Sequence, residues 1–316
     1  MENIWYIIVN PHAGSGKTMS LWDMAKDSLD SHGILYETVM TQSSHHATDL
    51  AFKAAQKGFR RIASVGGDGT FHEVYDGVMS WCDQTHTPCS EFYLAVIPIG
   101  SGNDWIKSFD IPNDPLKVVE LMAAGSFSRQ DVIKAETGSG KVSFMANVGG
   151  VGFDPHVCER VNEKKSRGTR HSLLYFLSLV QVICNLKSLD VAVSCDGEEQ
   201  FRGTIYDIAF GNGAFCGGGM RQCSLAKPSD GIIDAIVIPK APILTLLPIV
   251  PKLFSGRAHE SSKIIYVRGK SIRVEPLSTD MADIVELDGE VIGNLPVSLA
   301  VMNGQVNVLC GLNYGK

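Results

Sequence analysis

"SVGGDGTFHEVYDGV", residues 64–78, decides how the chain is read. A short apolar run ends at Val65, glycines follow at Gly66, Gly67 and Gly69, and a helical apolar pattern begins near Thr70. Strand, glycine turn and helix in that order aim backbone N–H groups and a helix N-terminus at the carboxyl edge of a parallel sheet. α/β proteins bind anions there. Asp68 lies inside the turn, and a carboxylate repels phosphate unless a divalent cation stands between them; the stretch therefore predicts a Mg-nucleotide. Thr70, capping the helix, also forms an S/T-x-x-E capping box with Glu73, and capping is the preferred role for Glu73.

Working outward, strand and helix patterns alternate through the first 130 residues. "IWYIIVN" (4–10) precedes Leu21, Trp22, Ala25 and Leu29 at helical spacing; "ILYETVM" (34–40) precedes Ala47, Leu50, Ala51 and Ala54; "RRIASVGG" (60–67) and "FYLAVIPIG" (92–100) follow. That alternation predicts βαβ units and a mainly parallel sheet. From about Asp131 strands come in pairs joined by Gly or Asp turns, as in "RQDVIKAETGSGKVSFMANVGG" (129–150) and "IVELDGEV" (284–291). This half reads as an antiparallel β domain carrying one or two helices.

Two further loops leave strand ends. "IPIGSGNDWIKSF" (97–109) follows the strand expected beside the first glycine turn, so Ser101, Gly102, Asn103 and Asp104 are placed to face it. "NPHAGSGKT" (10–18) ends like a P-loop, but Pro11 stands where the loop needs glycine and removes an N–H. It reads as a strand-to-helix turn that shapes the cleft floor.

Composition narrows the classes. A net charge of −6 over 316 residues argues against a general nucleic-acid binder. Eight cysteines without CxxC spacing and nine histidines without ligand spacing point to reduced cytoplasmic thiols and no zinc site. No signal peptide is expected, and "LLYFLSLVQVI" (173–183) is too short for a bilayer span, which takes about 20 residues. A basic cluster, Arg160, Lys164, Lys165, Arg167 and Arg170, is expected to dock on anionic membrane, with a solvated loop as the alternative.

"NPHAGSGK", "GGDGTFHEV", "PIGSGNDW", "GNGAFCGGGM" (211–220), "LAKPSDGIIDAIVI" (225–238) and "ELDGE" (286–290) together resemble the diacylglycerol kinase catalytic-domain family, which includes bacterial lipid kinases and the sphingosine and ceramide kinases. The resemblance runs from about residue 4 to 311. It implies an α/β ATP-binding domain over 1–130, a β-sandwich-like lipid domain over 131–302, and a last strand, about 303–316, that returns to the first domain. It implies ATP contacts near Asn10, Thr41, Gly66, Gly67, Asp68, Gly69, Thr70, Ser101 and Asn103. Asp68, Asp104 and Asp131 would hold Mg²⁺ and its waters, and Glu290 would be the general base, beside Asp68 and Asp104 as catalytic groups. In "KPSDGII" the Asp230 carboxylate with the carbonyls of Lys227 and Ile232 would hold a structural Mg²⁺, a plain Asp-Gly turn being the alternative.

The activity implied is an ATP-dependent kinase that phosphorylates a hydroxyl of diacylglycerol or a related lipid. A kinase of a soluble acceptor, similar to NAD kinase, and a non-catalytic nucleotide- or lipid-binding protein are the alternatives. Expected partners are a lipid substrate and peripheral contact with the inner face of a membrane, without nucleic acid, a homodimer being left open. Two residues depart from the family pattern: Ser101 replaces Thr and keeps the hydroxyl, and His72 replaces a common Asn.

Overall fold

A computed structural model describes residues 3–14, 18–100, 102–152, 188–278 and 283–315. Ser101, the basic cluster at 160–170 and the apolar run at 173–183 lie outside the described residues.

The first half alternates as β1 (Trp5–Val9), α1 (Thr18–Ser31), β2 (Tyr36–Met40), α2 (His46–Gln56), β3 (Arg61–Gly66), α3 (Asp68–Thr85), β4 (Tyr93–Pro98) and α4 (Pro115–Ala124). The strands are parallel in the order β2-β1-β3-β4. Helices cover both faces, so β3 and β4 are apolar and buried almost throughout. The register sets Val9 opposite Met40 and Val65, and Gly66 opposite Pro98. The strands therefore end together, and the segments starting at Asn10, Thr41, Gly67 and Ile99 leave one edge. On α3, Phe71, Val74, Tyr75, Val78 and Met79 form the buried stripe. Alanines of α2 let the two helices close up, and a Cβ at Gly77 would run into the Thr48 carbonyl oxygen.

The second half is antiparallel: β5 (Phe127–Thr137), β6 (Val142–Met145), β7 (Val148–Val151), β8 (Leu189–Cys195), β9 (Glu198–Gly211), β10 (Ile233–Pro239), β11 (Ile265–Gly269), β12 (Ser271–Pro276), β13 (Ile284–Leu287), β14 (Glu290–Asn294) and β15 (Val297–Leu309). Two short helices, α5 (Ile243–Leu246) and α6 (Ile249–Ser255), come from the apolar segment after β10. Their Leu246 and Ile249 are buried with Ile236 and Ile264, so part of that segment is core.

β15 ties the halves together. Val297 to Ala300 pair with β12, whereas Asn307 and Val308 pair in parallel with Tyr93 and Leu94 of β4. β5 lies antiparallel along both stretches of β15, with a register shift between Val301 and Gln305. One apolar core accordingly takes Val306, Val308 and Val132; the other takes Val297, Leu299, Ile133 and Ala135.

Candidate active site

The glycine turn after β3 and the loop after β4 pack backbone to backbone. A Cβ on Gly100 would lie 2.6 Å from the Gly67 Cα, a space that glycine alone leaves open. Asn103, at φ 47°, donates through Nδ2 to the Gly100 carbonyl at 2.8 Å and to Asn113 Oδ1 at 2.7 Å. Asp68 closes the junction: its carboxylate accepts the backbone N–H groups of Asp104 at 2.8 Å and Trp105 at 3.1 Å.

α3 starts at Asp68 with Gly67 as its N-cap and no side-chain cap, two residues ahead of the sequence expectation. The Thr70 hydroxyl instead accepts from Asn10 Nδ2 at 3.0 Å, linking the first loop to the turn. Glu73 does cap a helix, but the neighbouring one. Its carboxylate accepts the N–H groups of His45 at 3.1 Å and Ala47 at 3.0 Å at the start of α2. The Thr70–Glu73 capping box is thus not formed, because the helix has begun before Thr70. Thr41 is buried at the end of β2, and its N–H donates to the Val9 carbonyl at 2.9 Å.

Asp104 faces the second half. Its carboxylate accepts the Gly218 N–H at 2.6 Å and pairs with the Lys107 ammonium. Gly217, Gly218 and Gly219 all adopt positive φ, which is why the GGG run suits this approach.

The Leu-Asp-Gly-Glu hairpin between β13 and β14 completes the cleft. Asp288, at φ 53°, accepts three successive backbone N–H groups, from Ala146 at 2.7 Å, Asn147 at 2.8 Å and Val148 at 3.0 Å. His72 Nδ1 of α3 lies 2.8 Å from the same carboxylate. Two residues on, Glu290 extends over the glycine turn, where its Oε1 would lie 3.8 Å from a Cβ on Gly69.

Negative charge is concentrated here. Burial, with the nearby Asp104 and Asp288 carboxylates, pushes the Asp68 carboxyl up to about 6 even though two N–H bonds oppose the shift. Burial works against a charged His72, but its bond to Asp288 and the charges of Asp288, Asp76 and Glu290 outweigh it and raise the imidazole above its usual range. Burial and then Asp288 push the Glu286 carboxyl up to about 8, and its Oε2 is buried without a hydrogen-bond partner among the described residues. An unfolded chain ionises this group near 4.5, so stability falls as pH rises from there toward 8. Glu286→Gln is therefore expected to stabilise the protein, with a gain that grows between these pH values to on the order of 1–2 kcal/mol, read by urea unfolding.

The remaining expected ligands lie apart from this cleft. Asp131 Oδ2 accepts the Gly231 N–H at 2.6 Å and Oδ1 accepts from Gln305 Nε2 at 2.7 Å, so its carboxylate serves the 227–232 turn. Asp230 of that turn pairs with Arg268. Sequence reading singled out Asp68, Asp104 and Glu290 but passed over Asp288, Lys107 and Glu286. An Asp in a hairpin turn carries no local sign that its carboxylate gathers amides from the connection between β6 and β7.

Comparison with known proteins gives the family. The Diacylglycerol kinase catalytic domain profile matches residues 4–135, and the YegS C-terminal NAD kinase beta sandwich-like domain profile matches residues 147–310. The chain belongs to the diacylglycerol kinase-like lipid kinase family. It is 25% identical over 303 residues to a diacylglycerol kinase of Mycobacterium tuberculosis, covering 96% of this chain and 93% of that protein. It is 24% identical over 302 residues to a diacylglycerol kinase of Staphylococcus epidermidis, covering 96% and 90%. Its fold matches a crystal structure described as a diacylglycerol kinase of Bacillus anthracis with a TM-score of 0.77 at 22% identity, covering 98% of both chains. Membership makes the chain a kinase of the lipid kinase class, and the kinase family implies ATP as phosphate donor. Among the described residues no helix of this lipid kinase family member is long and apolar enough to cross a membrane.

Proposed function

We propose that the protein transfers the γ-phosphoryl group of ATP to a hydroxyl of diacylglycerol or a related lipid, in the cleft between the glycine turn and the Leu-Asp-Gly-Glu hairpin. The observation that carries this reading is the Glu290 carboxylate lying over Gly69, the residue after Asp68, whose own carboxylate accepts the Asp104 N–H.

The N–H groups of the first turn of α3, from Asp68 to Thr70, precede its first helical hydrogen bond and are free to serve anionic oxygens, and Asn10, Thr41 and Asn103 belong to the segments that leave the same sheet edge. Glu290 accepts the proton of the acceptor hydroxyl at a carboxylate oxygen as that oxygen attacks phosphorus. Asp288, fixed by three amides and His72, holds the hairpin that carries Glu290. Among the described residues no three His, Cys, Asp or Glu side chains converge as a metal-holding group. A nucleotide-bound Mg²⁺ needs only one or two carboxylates besides waters and phosphate oxygens. Asp68 and Asp104, which meet where the two loops join, are the carboxylates that would meet that need, and an ion bound there would draw Asp104 from the Lys107 ammonium. Once bound there, Mg²⁺ would neutralise charge on the transferred phosphoryl group. Membrane contact through the basic cluster at 160–170 would bring the lipid to the cleft.

The resemblance of the second half to an NAD kinase β-sandwich favours a soluble acceptor as the second reading. The deciding experiment incubates the protein with γ-labelled ATP, Mg²⁺, NAD and a mixed-micelle lipid panel, then extracts with organic solvent. Label in one lipid, absent with Glu290→Gln, is the expected result. Label confined to the aqueous phase in a phosphorylated nucleotide would support the soluble acceptor, and no transferred label despite ATP binding would overturn both.

A further inference from the structure

The turn at residues 227–232 is where the family resemblance predicts a structural Mg²⁺. Its geometry is set from two sides. On one, Asp131 donates its N–H to the Pro228 carbonyl at 2.6 Å and accepts the Gly231 N–H at 2.6 Å, while Gln305 Nε2 donates to the Ser229 carbonyl at 3.3 Å. On the other side stands an arginine. β10 and β11 pair antiparallel with Asp234 directly opposite Arg268. Arg268 Nε donates to Asp234 Oδ1 at 2.8 Å, and Nη2 donates to Asp230 Oδ2 at 2.9 Å.

One planar guanidinium thus bridges the carboxylate expected to bind metal and a second carboxylate whose side chain is 0% exposed. The fork suits this geometry, since Nε and Nη2 point to separate acceptors at fixed spacing. The carbonyl of Lys227, a second expected metal ligand, already faces the Asp230 N–H at 3.4 Å.

A hard divalent cation gathers oxygens that carry net negative charge and pushes away other positive groups. Lysine could yield by losing its proton, whereas arginine stays charged throughout the range in which proteins fold. Burial disfavours the Arg268 charge, but the bond to Asp234 and the charges of Asp234 and Asp230 outweigh it and raise the guanidinium further. If Arg268 swung away, the buried Asp234 carboxylate would lose its counter-charge and keep only the Tyr266 hydroxyl as a side-chain partner. The residues present therefore do not fit a divalent ion at this turn.

We propose that Arg268 takes the place of the structural divalent cation at the 227–232 turn, so that an organic cation built into β11 holds the turn and no Mg²⁺ binds there. The protein then needs divalent cation only at the Asp68–Asp104 cleft, and its folded state does not depend on a second ion.

Thermal unfolding of the full chain tests this without nucleotide, in EDTA and across a Mg²⁺ and Ca²⁺ series to about 10 mM. The comparison is of wild type, Asp230→Asn, Arg268→Gln and the Arg268→Gln/Asp230→Asn double variant. Asp230→Asn is expected to leave the cation dependence of the wild-type Tm unchanged. Arg268→Gln is expected to melt lower in EDTA and to gain a cation-dependent rise of about 3 °C at ten times the dissociation constant, lost again in the double variant. A wild-type rise that disappears in Asp230→Asn would overturn the proposal, because the turn would then bind metal beside Arg268. An Arg268→Gln variant that folds and stays insensitive to cation would overturn it as well. Should Arg268→Gln not fold, the wild-type and Asp230→Asn pair still decides.

Discussion

Glu290→Gln is expected to lower kcat by about 10²–10⁴-fold while the KM for ATP stays within about twofold. The substitution keeps the shape of the side chain, so the β13–β14 hairpin and the glycine turn beneath it retain their packing. What it removes is the proton acceptor, which matters only when the attacking hydroxyl is being deprotonated. Steady-state kinetics at saturating lipid and varied ATP separate the two parameters. A loss that appeared mainly as a higher KM for ATP would make Glu290 a nucleotide ligand and leave the base unassigned. Near-wild-type kcat would overturn the assignment of Glu290 as base.

Asp288→Ala is expected to be the most damaging single change to stability, costing about 3–5 kcal/mol by denaturant unfolding. It leaves a buried His72 without its counter-charge and orphans the N–H groups of Ala146, Asn147 and Val148 together. Activity should fall with it, because the hairpin carrying Glu290 loses its anchor to α3. His72→Asn removes only the ionic part and should cost about 1–2 kcal/mol. That cost depends on pH. The folded imidazole is raised above its usual 6.5, so its stabilisation is complete below that value and fades as pH climbs through the raised one. The gap between wild type and His72→Asn should therefore narrow toward alkaline pH, and a gap that widened would contradict the pairing.

The parallel sheet could be read from the sequence because strand and helix patterns alternate through the first 130 residues, and strands covered on both faces are mostly apolar, as "RIASVG" and "YLAVIP" are. The glycine turn and the loop at Gly102 were legible for a related reason. Parallel strands in register end together, so loops after adjacent strands meet. Hairpins announced themselves through "GSG" and "DG". Contacts between elements far apart in the chain stayed hidden. Asp288 finds its amides 140 to 142 residues away. Glu73 finds its helix N-terminus 26 and 28 residues back, on α2, whereas local pattern assigned it to its own helix. Arg268 reaches Asp234 only through the β10–β11 register. Each of these pairings is set by tertiary register, which no window of neighbouring residues contains.

The long strand β15 also bears on the order in which the chain can be made. β4 leaves the ribosome early, yet one of its edges is covered only when Asn307 and Val308 arrive, more than two hundred residues later. Until then the nascent first half carries an open sheet edge, a template for pairing with other chains. Synthesis of the first half is thus not its completion: the closing stitch comes from the far end of the sequence, and a chain halted before Val306 would be an aggregation hazard rather than half an enzyme.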